Sequence, residues 1–145
     1  MNPSLQKARD RRVDQHLDAE NQHELELVIV DFSEGASCDD LAWNDHAEGQ
    51  DGIREWYREL YAAAPDLRIE EIGRSEQGDR VTVDCLLHGT HKGTWHGVHP
   101  TGTSFHVPAR VTYEFGPGSE FLHHETVAYD RARLVEQFGI DERLH

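Results

Sequence analysis

Residues 89–103 read Gly89-Thr90-His91-Lys92-Gly93-Thr94-Trp95-His96-Gly97-Val98-His99-Pro100-Thr101-Gly102-Thr103. Alternation flanks them on both sides: Val81, Val83, Cys85 and Leu87 recur at every second position before, and Ser104 to Phe115 alternates after. The stretch therefore reads as an irregular, histidine-rich crossing between two long strands, ending in the turn Pro100-Thr101-Gly102. A crossing of this kind belongs at the mouth of a curved sheet, where polar side chains can converge on a small molecule.

Working outward from it, a strand is expected at Leu67–Ser75, then Arg80–Lys92, Ser104–Phe115 and Glu120–Tyr129, separated by Glu76-Gln77-Gly78-Asp79 and Gly116-Pro117-Gly118-Ser119. Helices precede this meander. Pro3-Ser4 starts one that runs to about Glu20, with a sparse stripe of Leu5, Ala8, Val13 and Leu17. Leu25, Val28, Ile29 and Phe32 sit at helical spacing in Glu24–Phe32, and a loop or short strand follows from Gly35 to Leu41. The clearest helix is capped by Asp51, carries Ile53, Trp56, Tyr57, Leu60 and Ala64 on one face, and stops at Pro65. A last helix begins at Asp130, turns Leu134, Val135 and Phe138 inward and ends at Gly139. Helices first and strands second make this an α+β chain: N-terminal helices packed on a curved antiparallel sheet, with a short C-terminal helix.

The chain has 145 residues, the size of one domain (1–145, core about 5–140). It has 28 Asp and Glu against 14 Lys and Arg, a net charge of -14. With no Lys/Arg run, a nucleic-acid footprint is missing, and the acidity disfavours anionic membranes. Cys38 and Cys85 form neither a zinc framework nor a disulfide scaffold. The N-terminal residues lack the apolar core of a signal peptide, and no apolar run approaches membrane-spanning length, so a cytoplasmic protein is expected.

Several short motifs recur together: Ala63-Ala64-Pro65-Asp66-Leu67 after the third helix, Gly89-Thr90-His91-x-Gly93, Gly97-x-x-Pro100-Thr101-Gly102, and Asp130-x-x-x-Leu134-x-x-Gln137-Phe138-Gly139. In this order they resemble the SnoaL-like polyketide cyclase family of the nuclear-transport-factor-2-like superfamily, over roughly residues 5 to 140. The resemblance implies a cone-shaped α+β barrel with a cavity between helices and sheet. It also implies cofactor-independent acid/base chemistry, aldol cyclisation or isomerisation, on a hydrophobic polyketide-like substrate of antibiotic biosynthesis, with a homodimer as the assembly. The family's cyclases use an Asp at the end of the last strand, matched here by Asp130. They also tend to carry a His late in the preceding strand, where this chain reads Tyr113-Glu114-Phe115. That departure leaves open a hydroxylase-like member or a non-catalytic binding or dimerisation module.

Asp130 is then either the general acid/base or only the cap of the last helix, and Glu125 is the reserve if the strand presents its other face. His91, on the parity of Val83 and Cys85, can polarise a ligand carbonyl, and His124 shares a strand face with Asp130. Trp43, Tyr57, Trp95 and Tyr113 are candidate walls and donors for a flat substrate, Trp95 as a lid. Asp31, Asp39, Asp40, Asp45 and His46 read as exposed. No metal is expected: His88 and His91 point to opposite faces of their strand, and nothing completes a site around His96 and His99.

Overall fold

The computed structural model of the protein describes residues 2–140. Two helices, α1 (Pro3–Asn21) and α2 (Leu25–Ile29), lead into β1 (Phe32–Asp40) and β2 (Asp45–Glu48). Helix α3 (Gly49–Ala63) precedes β3 (Arg68–Gln77), β4 (Arg80–Thr90), β5 (Ser104–Phe115) and β6 (Leu122–Tyr129), and α4 (Arg131–Gln137) closes the described chain. The strands form one curved, unclosed six-stranded sheet in the order β2-β1-β6-β5-β4-β3. Among the described residues no helix is long and apolar enough to cross a membrane.

The meander β3 to β6 follows the alternation in the sequence, with Val81, Val83 and Cys85 on β4 facing the same interior as Val107, Val111 and Tyr113 on β5. Of the loop or short strand expected at Gly35–Leu41, the strand is what forms, as the second half of β1. This strand pairs in parallel with β6, Ser37 opposite His124 and Asp40 opposite Val127, so the sheet is mixed rather than wholly antiparallel. The second helix is correspondingly short: it ends at Ile29, and Phe32, placed on its stripe by spacing, opens the strand. A run of four apolar positions at helical spacing also fits a helical turn followed by a buried strand start. Asp51 lies in the first turn of α3, whose cap position is Glu48.

Helix α1 buries Arg9, Val13, His16, Leu17 and Glu20 against the sheet, one stripe mixing apolar and ionisable side chains. Its sparse apolar face becomes intelligible: the ionisable members are bonded. Arg9 Nη1 donates to Asp79 Oδ1 at 2.7 Å, Nη2 to the Gly116 carbonyl at 2.9 Å and Nε to the Ser119 carbonyl at 2.8 Å. One guanidinium thus ties the β3–β4 turn to the β5–β6 turn at the end of the sheet remote from the crossing.

At the opposite end the crossing folds back over α3. The backbone N–H groups of Lys92 and Gly93 both donate to the Ala63 carbonyl, at 3.0 and 3.1 Å. This close approach requires Gly93, since a Cβ there would fall on the carbonyl oxygen of Ala62. Trp95 and Val98 pair as an isolated bridge, and His96 and Gly97 take positive φ to make the turn between them. Trp95 is thereby driven into a cluster with Phe105, Leu134 and Phe138. Gly93→Ala is expected to cost about 1–3 kcal/mol, lowering Tm by roughly 3–10 °C. Gly35→Ala, where a Cβ meets nothing within 4 Å, should leave Tm nearly unchanged, and thermal denaturation of the two variants checks the contrast.

Candidate active site

Between α1, α3 and the concave face of the sheet lies an inner cavity of about 40 Å³, lined by apolar walls and by Glu20, Asp40, Tyr57, Tyr61, Glu125 and Tyr129. It adjoins an outer bowl of about 230 Å³ bordered by Asp45, Glu59, Ala62, Thr94 and His96. Asp40, Trp56, Leu60 and Trp95 line both and form the neck between them. The described residues that line the inner cavity include three carboxylates, Glu20, Asp40 and Glu125, and no Lys, Arg or His.

Asp40 is the last residue of β1, one strand away from Val127 and Tyr129. Its Oδ1 accepts the backbone N–H groups of Ala42 and Trp43, at 3.0 and 3.3 Å, in a turn that leaves Oδ2 without a hydrogen bond among the described residues. The side chain is 4% exposed. Burial raises its pKa to about 6 although the two N–H donors pull the other way. A carboxylate in that range can accept a proton at neutral pH and return it.

Tyr129 stands beside it. Its hydroxyl accepts the indole N–H of Trp43 at 2.7 Å, and among the described residues nothing accepts the hydroxyl proton. Burial, and then the charge of Asp40, raise the Tyr129 pKa, so the phenol stays protonated and can donate into the cavity. Trp43 is fixed for this by stacking on His96, centroids 4.4 Å apart.

The cavity floor has a different character. His16 Nδ1 meets Asp31 Oδ2 at 3.0 Å, and its Nε2 meets Glu20 Oε1 at 2.7 Å and Glu125 Oε1 at 3.6 Å. Arg12 backs Asp31 at 3.0 Å. Tyr57 donates to Glu20 at 2.7 Å and lies 3.1 Å from Glu125 Oε2. Burial alone would lower the His16 pKa, but Glu20, Asp31 and Glu125 outweigh it and hold it well above the usual value. Burial raises the Glu20 pKa, against the pull of His16.

The residues singled out in the sequence are not brought together. Asp130, which the resemblance turns inward, is exposed; its Oδ1 accepts the Arg133 N–H at 3.3 Å as the cap of α4. On β6 it is Glu125, Val127 and Tyr129 that face the cavity. The face of His124 is the outer one, where its ring meets Ser37 Oγ at 2.6 Å and Asp39 at 3.1 Å. His91 is buried under α4, stacked on Phe138 at 4.0 Å and bonded to Thr101 at 3.0 Å. Tyr57 and Trp95 do line the cavity, Trp43 acts on it through Tyr129, and Tyr113 is buried behind it with no partner for its hydroxyl among the described residues. Asp31 and Asp40, read as exposed, are buried.

Sequence profiles now bear on this arrangement: the profile described as SnoaL-like polyketide cyclase matches residues 11–138. The chain belongs to the SnoaL-like polyketide cyclase family. No curated protein sequence matches it. Among solved structures, the SnoaL-like fold is shared with AclR of Streptomyces galilaeus, provisionally named a hydroxylase, at 19% identity and a TM-score of 0.76, covering 90% of this chain and 84% of that one. IdmH of Streptomyces antibioticus, provisionally named a polyketide cyclase, is 20% identical with a TM-score of 0.74, over 91% and 99% of the two chains. A protein of Catenulispora acidiphila with a ketosteroid isomerase-like fold, solved with trimethylamine, is 18% identical with a TM-score of 0.77, over 97% and 95%. At these identities the likeness is one of fold.

The raised Asp40 carboxyl has a consequence for stability. With its folded pKa near 6 and its unfolded value near 3.8, the folded state holds the proton more tightly, so stability falls as pH rises between about 4 and 6 and the cost is complete above 6. Asp40→Asn keeps the acceptor for Ala42 and Trp43 and removes the charge. It is expected to stabilise the protein by about 1–3 kcal/mol at pH 7.5, with the gain vanishing near pH 4 in urea denaturation.

Proposed function

We propose that this family member is an enzyme that removes a proton next to a carbonyl of a hydrophobic, polyketide-like small molecule, with Asp40 as the base and Tyr129 as the donor to the oxygen. The observation that carries the reading is the pairing of a carboxylate at the neck, poised near pH 6, with a phenol of the inner cavity whose proton no described residue accepts. Asp40 Oδ2 takes the α-proton, the C–H electron pair moves into the carbonyl, and the Tyr129 hydroxyl donates to the resulting enolate oxygen. The enolate carbon then adds to a second carbonyl, closing a ring by aldol addition with the Asp40 proton passing to the new alkoxide, or is reprotonated by Asp40 at a conjugated carbon, giving an isomer; either way the carboxylate is restored. Neither step calls for a cofactor.

Size supports the same placement. An inner cavity of about 40 Å³ has room for a group of only a few atoms, so a fused ring system would occupy the outer bowl and present one edge at the neck, between Trp56 and Trp95. A homodimer through the outer sheet face, where Leu86 lies opposite Pro108 and Arg110 opposite Ala128, completes the reading and is checked by light scattering on the eluting protein.

The chemistry is tested by following deuterium incorporation at the α-carbon of aromatic and polycyclic ketones by NMR. Exchange should rise with pH to a plateau above about pH 6, because the base must be ionised. Asp40→Asn should slow it about 10²–10⁴-fold, and Tyr129→Phe about 10²–10³-fold. Asp130→Asn, which retains the helix cap, should leave it unchanged. Exchange that persists in Asp40→Asn and is lost in Asp130→Asn would transfer the role to the exposed residue and overturn the assignment.

A further inference from the structure

The floor of the cavity is not used by the chemistry proposed at its neck, and its composition is unusual for a core. Glu20 and Glu125 point their carboxylates at the same imidazole nitrogen, His16 Nε2, and one ligand atom from each of the three residues lies within 4.8 Å of the others. All three are at most 5% exposed. Among the described residues no other group of His, Cys, Asp and Glu meets that geometry. We infer that His16, Glu20 and Glu125 form a binding site for a divalent first-row metal ion such as Zn²⁺.

Three observations carry this. The first is spacing: ligands about 2.0–2.2 Å from a tetrahedral zinc stand about 3.3–3.6 Å apart; the His16 Nε2 contact with Glu125, 3.6 Å, has that length, and the one with Glu20, 2.7 Å, is a hydrogen bond that opens by under about 1 Å to admit the ion. The second is the support behind the ligands. Asp31 bonds the far nitrogen of His16 at 3.0 Å and is itself held by Arg12 at 3.0 Å, the carboxylate–histidine arrangement that fixes a metal-binding imidazole by its other nitrogen. The third is charge. Asp31, Glu20 and Glu125 bring three buried negative groups to one guanidinium and one imidazole, and a divalent ion that displaces the ring proton brings the sum to zero.

The fourth position faces the cavity beside the Tyr57 hydroxyl, which lies 2.7 Å from Glu20 and 3.1 Å from Glu125. An ion there with a water ligand adds a hydrogen-bonding group to a floor in which the buried Tyr113 hydroxyl, its ring 5.4 Å from that of His16, has no partner among the described residues. In the sequence the signal is His16-x-x-x-Glu20, one turn apart on the buried stripe of α1. The histidine pairs weighed there lie elsewhere in the fold.

The test is metal binding by the dialysed full-length protein, and it reads nothing from turnover. Titration with Zn²⁺ by calorimetry, and with Co²⁺ by its visible spectrum, should give one ion per chain, and a nitrogen-detected spectrum should show the His16 ring shift on zinc addition. Glu125→Gln and Glu20→Gln should each weaken binding at least about 100-fold, and Asp31→Asn about 10–100-fold. Should one Glu variant fail to fold, the other reports the same site, and the His16 shift reports it in the unaltered chain. Absence of stoichiometric binding at millimolar zinc overturns the inference and leaves the cluster a closed hydrogen-bonded network. Binding that survives both Glu variants overturns it as well, placing the ion on the outer sheet face, at groups such as Asp39, His46 and His124. Either failure leaves Asp40 and Tyr129 untouched.

Discussion

The arrangement of the molecule depends on one buried imidazole. His16 is reached at one nitrogen by Asp31, from the link between α2 and β1, and at the other by Glu20 on its own helix and Glu125 on β6. Helix α1, the α2–β1 link and β6 are thus referred to a single ring in a medium where an unmatched charge is severely penalised. The aromatic rings of Phe32, Tyr57 and Tyr113 pack edge-on around it, at 5.3, 6.5 and 5.4 Å. That packing sets the distance between α1 and the sheet, and with it the depth of the cavity.

The parallel pairing of β1 with β6 supplies the second constraint. Because Asp40 lies opposite Val127, the turn after β1 sits next to the end of β6, and the Trp43 indole reaches the Tyr129 hydroxyl. The neck is therefore made by backbone register rather than by flexible side chains converging from loops. Only the lid side, Trp95, comes from irregular chain, and there the Lys92 and Gly93 bonds to the Ala63 carbonyl hold it down.

The meander was legible because β4 and β5 each bury one face, so alternation was visible at Val81–Leu87 and at Phe105–Phe115. The family was legible in the motifs around the crossing. The strand β1 was legible only as one of two alternatives, a loop or a short strand: Ala36, Cys38 and Asp40 do alternate, but small and acidic residues give alternation little hydrophobic contrast. His16 and Glu20 share the stripe of Val13 and Leu17, a pattern that marks buried polar groups, yet an ionisable residue on a helix defaults to the solvent face. Asp130 illustrates the converse. One residue of parity separates it from Tyr129, and apolar residues on both faces of β6 left that parity undetermined until the partner strands fixed it.

The Arg9 guanidinium gains a wider meaning from its location. It clasps the two turns at one end of the sheet, while the crossing, Trp43 and the Asp40 turn all lie at the other. Clasp and cavity mouth thus stand at opposite poles of the same strands. A side chain bordering the bowl can be replaced without loosening the clasp, because the two lie a strand's length apart.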